Sequence, residues 1–413
     1  MRVIAGRPDG SIEILDGYRA AARNGHRLVA LAADDVIPLP EEATLTHLPG
    51  RRPVAVDSDG AAVEVEGDWL AVAAVLPVGH LRTLLPAATR AVDAHRLPLF
   101  GYTAVVEHGG DLMCAALRTD RFDWWEPARY GRSDLSAAVE TARAELPGNR
   151  LVDHLATCAL VYRCYTAQNT FHRRYEGALP ASPACNADCL GCISLQSDGE
   201  VPAPQDRMRF APTAAELTAL ADWHLRGDDA AIVSFGQGCE GEALTRDDAL
   251  VDATRQIREL HPHATIHVNT NGSKPHVLAR LIDAGLNSVR ISAISFIDAV
   301  FRPYYRPIGY GLDDVIACGR LMHDSGGQVC LNLLTVPGVT DVEAEVEATV
   351  RACRAMAIDQ VQWRSLNVDH DWLLDVLPPL PPGAGMRRAY ERIRERLPGV
   401  EHGNFTRPVA VSV

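Results

Sequence analysis

SPACNADCLGCIS (182–194) carries three cysteines, Cys185, Cys189 and Cys192, spaced C-x3-C-x2-C. Three thiolates this close can hold three irons of a cubane iron–sulfur cluster and leave the fourth iron without a protein ligand. An open iron is a place for chemistry. The competing occupant is structural zinc, which takes four ligands, usually as paired Cys or His residues. No fourth cysteine lies within twenty residues of Cys192, and the nearest histidine, His172, belongs to a separate helical stretch. A disulfide suits an odd number of cysteines poorly, and ten cysteines in 413 residues is no disulfide-scaffold density.

Downstream of this stretch the pattern becomes regular. Thr213 and Glu216 make a capping box before a helix with Leu217, Leu220 and His224 at helical spacing. Strand-like runs then alternate with helical ones: AIVSF (231–235), TIHVNTN (265–271), SVRIS (288–292), VCLNLLT (329–335) and QVQWRSL (360–366) are the strands. Thr245 with Asp248, Ser273 and Thr340 with Glu343 start three of the helices, and 312–324 is another. Short, apolar, β-branched strands separated by helices predict a parallel sheet with helices outside it. With one strand just before Cys185 there are six units, too few for a closed eight-stranded barrel. The fold class expected is α/β, a partial (β/α)6 TIM-like barrel, and ligands gather at the carboxyl ends of such strands.

The polar residues fall at those ends. AIVSF runs into GQGCEGEAL (236–244), TIHV into Asn269-Thr270-Asn271-Gly272, SVRIS into Ser292; VCLNLLT carries Asn332, and QVQW leads to Arg364 and Asn367. Glycines let backbone approach a ligand closely, and a carboxylate accepts from an ammonium group. Each residue alone has a duller reading as a turn or a cap. Together, in order, they suit a ligand with amino, carboxylate and ribose groups.

Upstream the chain reads differently. Residues 1–150 contain short alternating runs such as 54–67 and a hairpin signal around His108-Gly109-Gly110-Asp111, predicting an N-terminal α+β domain with a small antiparallel sheet. Residues 151–178 read as a helical connector, 179–370 as the barrel, and 371–413 as a PPLPPG linker (378–383), a short helix (386–397) and a tail. The longest apolar run, 69–79, is too short to span a bilayer, and no signal peptide is evident, so no membrane is expected and a cytoplasmic, reducing setting is the default. The net charge of −13 argues against nucleic acid as a partner, although Arg173, Arg174, Arg207 and Arg209 flank the cysteines; their simpler reading is a solvated face or internal ion pairs.

The C-x3-C-x2-C motif, followed by a glycine- and glutamate-bearing loop after the second strand, resembles the radical SAM superfamily over about 180–370. FGQGCEGE, NTNG, VRIS, NLLTVPGVTD and VQWR look like one of its subgroups, with no reaction attached. The resemblance implies that Cys185, Cys189 and Cys192 bind one 4Fe-4S cluster whose open iron chelates S-adenosylmethionine. A flavodoxin- or ferredoxin-like reductant would supply the electron. Cleavage would give a 5′-deoxyadenosyl radical that abstracts hydrogen from a small-molecule or peptide substrate. The family's Gly-Gly-Glu-Pro motif holds the amino group. Gly241-Glu242 is its best counterpart here, with Ala243 in place of proline, and Gly238 with Glu240 is a competing alignment. Asn269, Asn271, Ser292 and Asn332 are further candidate cofactor contacts. Arg290 or Arg364 could pair with the carboxylate, or either could form an ion pair inside the barrel. The family usually has an aromatic residue just before the third cysteine, where this chain has Gly191.

Cys239, in the second-strand loop, has three readings: a hydrogen donor to a product radical, a ligand of a second cluster, or an inert buried thiol. Cys158 and Cys164 read as core, and Tyr304 and Tyr305 as packing residues or cavity lining. Two other functions compete: a non-enzymatic iron–sulfur redox sensor or electron carrier, which has no need of the strand-end motifs, and an RNA-modifying radical SAM enzyme, which the acidic charge disfavours.

Overall fold

The computed structural model describes residues 1–120, 134–228 and 230–409. Seven parallel strands follow one another in sheet order as in sequence: β1 (Glu176–Leu179), β2 (Ile232–Phe235), β3 (Thr265–Thr270), β4 (Ser288–Ala293), β5 (Gln328–Thr335), β6 (Gln360–Ser365) and β7 (Glu401–Gly403). Almost every residue of β1 to β4 is buried, as expected of strands covered on both faces. The sheet curls far enough for β4 to meet β1 across its interior, where Arg290 pairs with Glu176 at 3.2 Å. β1 and β7 remain the two edges, so the barrel is open.

Helices pack outside in the intervals between strands: Ala214–Leu225, Asp247–Leu260, Pro275–Asp283, Leu312–Asp324 and Glu343–Met356. Their inward residues, among them Leu217, Leu220, Leu250, Ile257, Val315 and Val350, share one apolar core with the strands. The capping box forms as the sequence predicts, with Thr213 Oγ1 accepting from the Glu216 N–H at 3.2 Å and Glu216 accepting from the Thr213 N–H at 2.8 Å. Arg150 adds a two-pronged contact to the same carboxylate, 2.7 Å on each oxygen, and holds it down at about 2. A carboxyl lowered in this way stabilises the fold fully above its ordinary value and loses that contribution as pH falls through it. The guanidinium is half exposed, so solvent screens the pair. Glu216→Gln is expected to cost about 1 kcal/mol near neutral pH, with the gap to the native chain narrowing as pH falls from about 5 to about 2, measured by urea denaturation.

The N-terminal sheet is larger than the sequence suggests. Twelve antiparallel strands lie within residues 2–114, and the predicted hairpin is present, with His108 opposite Asp111. Gly109 and Gly110 both have positive φ, as a two-residue hairpin turn requires. Three helices, Leu135–Glu145, Arg150–Leu160 and Tyr165–His172, then lead into β1; their buried residues belong to the barrel's core. A separate two-stranded ribbon, His80–Arg82 with Ala116–Arg118, meets the carboxyl end of β6: Arg82 donates from its backbone N–H to Ser365 Oγ at 3.0 Å and from its guanidinium to the Leu366 carbonyl at 3.2 Å. β7 is a further departure, since its residues lie in a stretch read as a tail. No described helix is long and apolar enough to cross a membrane.

Candidate active site

The cysteine loop leaves the carboxyl end of β1 and is tied down on three sides. Its Asp188 and Leu190 N–H groups donate to the carbonyls of Tyr305 and Tyr304, each at 3.0 Å, at the end of the helix Asp298–Tyr305. The Asn186 carbonyl accepts from the Ile308 N–H at 2.9 Å, and Asn186 Oδ1 accepts from Asn271 Nδ2 at 3.0 Å. On the third side the loop after β2 runs against it. Gly241 N–H donates to Ser182 O at 2.7 Å and Glu242 N–H to Ala184 O at 2.8 Å. A Cβ on Gly241 would lie 2.0 Å from the Ala184 carbonyl, so only glycine permits this approach. Gly241→Ala is therefore expected to push the loops apart and lower iron retention and S-adenosylmethionine cleavage by about tenfold or more, read as iron per chain and 5′-deoxyadenosine yield.

The three thiols are partly buried and unpaired. Burial pushes the Cys185 thiol up, and burial together with the neighbouring Cys192 and Cys185 pushes Cys189 well above the usual thiol range. A metal ion at these thiols would reverse that order, because its charge favours the thiolates. Arg207 already supplies one cation: Nη2 lies 3.3 Å from Cys192 Sγ while Nε donates to Ser194 Oγ at 3.1 Å. Hydrogen bonds to cluster sulfurs tune reduction potential. Arg207→Gln is expected to keep the cluster and shift its midpoint tens of millivolts more negative in an EPR-monitored redox titration, as loss of a donor to sulfur requires. The sequence alone suggests a solvated or ion-paired side chain for Arg207, since its one local signal is proximity to the cysteines.

The two glutamates of the β2 loop are both buried. Glu240 accepts from the backbone N–H groups of Ala181 and Ser182 at 2.7 Å and Gln237 at 2.5 Å. Burial nevertheless pushes its carboxyl up to about 8. Glu242 accepts from Thr270 Oγ1 at 2.6 Å, Asn271 N–H at 2.8 Å and Leu244 N–H at 3.0 Å, and burial raises its carboxyl too. A carboxylate has about four acceptor sites, so each glutamate braces the loops and keeps about one site spare. Gly238 packs on Ile193 and Gln205.

The remaining strand-end residues divide. Asn271 joins the cysteine loop through Asn186. Ser292 accepts from Asn332 Nδ2 at 3.0 Å, and Asn332 Oδ1 is buried with no partner. Asn269 is engaged inside the barrel, with Ser234 Oγ at 2.9 Å and His267 at 3.2 Å. Arg290 and Arg364 do not reach the cysteine loop. Arg290 pairs with Glu176, the first residue of β1, and donates to Thr406 Oγ1 at 2.6 Å; Arg364 donates to the Asn404 carbonyl and lies over the Phe405 ring. Both strands point these side chains into the interior, where Glu176 and the segment after β7 supply the acceptors. The ion-pair alternative is thus the one that Arg290 takes. The buried Cys239 thiol meets Cys158 and His154. At Gly191, where the family usually has an aromatic residue, a Cβ would meet the Tyr304 hydroxyl at 2.9 Å and Leu366 at 3.1 Å, so no larger side chain has room there. Tyr304 and Tyr305 are both buried, and Tyr305 donates to the Ser292 carbonyl at 3.0 Å.

The residues present fit a cubane and a chelating ligand. Three thiols are free of disulfides, a guanidinium reaches one of them, and an orphaned amide oxygen waits across the barrel. Residues 179–352 match the family model described as the Radical SAM superfamily. No curated protein matches the chain. Solved structures similar to it include methylornithine synthase (PylB), at 16% identity, TM-score 0.36, over 57% of this chain and 68% of that one. A radical SAM methyltransferase from Sphaerobacter thermophilus follows, at 17% identity and TM-score 0.38 over 54% and 62%. Streptococcus suis SuiB is similar at 12% identity and TM-score 0.35 over 60% and 50%. The chain thus spans about half to two thirds of these proteins. What carries the assignment is the family match over the strands and loops that hold the three thiols: residues 179–352 form a Radical SAM domain, and the enzymes of that family work with a 4Fe-4S cluster and S-adenosylmethionine.

Proposed function

We propose that Cys185, Cys189 and Cys192 hold the cluster and that the enzyme acts by hydrogen abstraction on a small molecule or a peptide. When bound, the two cofactors supply a one-electron cleavage that yields a 5′-deoxyadenosyl radical. The chain's own residues do the positioning. Arg207 donates to Cys192 Sγ and steadies its negative charge. The spare acceptor site of Glu242 takes the ligand's ammonium group, and Asn332 Oδ1 accepts from a ribose hydroxyl. Glu240, Gly238 and Gly241 hold the β2 loop against the cysteine loop, and Tyr304 and Tyr305 cover it from the far side and exclude water.

The observation that carries this reading is the convergence of three unligated thiols with a braced glycine–glutamate loop at the carboxyl ends of β1 and β2. The domain division near residue 150 belongs to the same proposal. The N-terminal sheet contacts the β6 end beside Gly191, where a Cβ on Gly101 would lie 3.3 Å from Asn367 Oδ1. A sheet at that position helps to select the substrate. All ten cysteines are free thiols, which suits a reducing cytoplasm and a flavodoxin- or ferredoxin-like electron donor. The test is EPR of the dithionite-reduced cluster with and without S-adenosylmethionine. A changed signal on adding the ligand supports an open iron; an unchanged signal from a fully loaded cluster overturns it and favours an electron carrier.

A further inference from the structure

On the helix Arg150–Leu160, His154 and Cys158 sit one turn apart on the same face. Cys239, from the loop after β2, comes to meet them. One donor atom from each of the three lies within 4.8 Å of the others, and Cys158 Sγ is 3.9 Å from His154 Nε2. Among the described residues this is the one such cluster of metal-ligating side chains within that span.

We propose that His154, Cys158 and Cys239 form a binding site for a single soft divalent cation of the zinc class, separate from the cysteine loop. The donor set is the imidazole and thiolate pair of groups that zinc prefers. The span decides between one ion and a cluster. Ligands of one tetrahedral ion stand about 3.5 to 4 Å apart, given bonds of about 2.0 to 2.3 Å, whereas a cubane spreads its ligands over separate irons and sets them farther apart. The Cys158–His154 separation of 3.9 Å falls in the range of one ion, and with all three donors within 4.8 Å of one another a small adjustment brings Cys239 into the same sphere. Backbone contacts hold the donors in place without it: the Cys164 N–H donates to the Cys158 carbonyl at 2.9 Å and the Met208 N–H to the Cys239 carbonyl at 2.8 Å. The His154 ring stands edge-on to Phe210, with centroids 6.2 Å apart. Both thiols are almost fully buried, at 1% and 4% exposure, while His154 is only half-buried, so the fourth position opens on its side to a water.

Binding one such ion releases the two thiol protons to solvent and changes no oxidation state. Its effect is mechanical. Cys239 precedes Glu240, Gly241 and Glu242, the residues that brace the cysteine loop. The ion would staple that loop to the helix behind it.

The test uses the full chain purified anaerobically, assayed for zinc and iron by mass spectrometry, and a Cys185→Ser/Cys189→Ser/Cys192→Ser variant titrated with cobalt(II) under reducing conditions. The expected result is about one zinc per chain beside the iron, and in the triple variant one cobalt with a thiolate-to-cobalt charge-transfer band that zinc abolishes. Cys158→Ser or Cys239→Ser should weaken that binding about 100-fold or more. His154→Gln, at a half-buried position, serves if a cysteine variant fails to fold, and should weaken it at least about tenfold. The proposal is overturned if the triple variant binds no cobalt with a thiolate band, or if the cation is held equally well without Cys158 and Cys239. Recovery of a Cys158–Cys239 disulfide from the anaerobic protein would overturn it as well.

Discussion

Cys189→Ala is expected to remove the brown iron–sulfur chromophore and reduce 5′-deoxyadenosine release to background. The physical reason is the absence of a substitute ligand. Cys189 is the middle of the three thiols, on a segment whose neighbours Asp188 and Leu190 are fixed by backbone bonds to Tyr305 and Tyr304. The loop cannot slide to offer another donor. An iron left without its thiolate inside the loop is exchanged or lost, and the cubane with it. Cys185→Ala and Cys192→Ala should behave alike. Cys318→Ala, a buried thiol that donates to the Gly272 carbonyl, should keep iron content at the native level. Iron analysis and visible absorbance of the reconstituted variants check this; a Cys189→Ala protein with native iron and native turnover would refute it.

The second large effect concerns stability. Arg51→Ala is expected to destabilise the fold by about 3–5 kcal/mol, read as a lower urea midpoint. Arg51, in the N-terminal sheet, lies 2.6 Å from Asp369, just past β6, with side-chain exposures of 1% and 0%. The Asp369 carboxylate also accepts from the Leu97 N–H at 2.8 Å and the Asp371 N–H at 3.0 Å, so it joins three segments and caps the helix His370–Val376. Removing the guanidinium leaves a buried anion short of its cation, which costs far more than an exposed pair. Arg90→Ala is the contrast. Its pair with Asp375 is well exposed and should contribute less than about 1 kcal/mol.

These effects differ in how far the sequence foretells them. The cysteine loop and β2 to β6 are legible because each rests on local signals, close thiol spacing, short β-branched runs and capping residues, whereas β1, Glu-Gly-Ala-Leu, is placed only by its position before the cysteines. What stays hidden depends on partners far along the chain. β7 is three residues, Glu-His-Gly, with no alternation; it is a strand because it pairs with β6. The helix Asp298–Tyr305 contains Pro303, which reads as a breaker. Arg51 and Asp369 look like two surface charges until the sheet and the barrel close on them. Arg290 and Arg364 occupy strands that end at the site, yet their side chains are claimed by Glu176 and by residues 404–406. His154 and Cys158 carried a readable signal, one helical turn of spacing, but Cys239 completes the group only in three dimensions.

The most direct test of the account is the product of anaerobic reconstitution. The native chain, loaded with iron and sulfide, is reduced with dithionite and given S-adenosylmethionine, and the mixture is assayed for 5′-deoxyadenosine and methionine. The account predicts both products in equal amounts, dependent on reductant and absent from Cys189→Ala. A fully loaded cluster that releases neither, or purified protein with zinc alone on Cys185, Cys189 and Cys192, would contradict it.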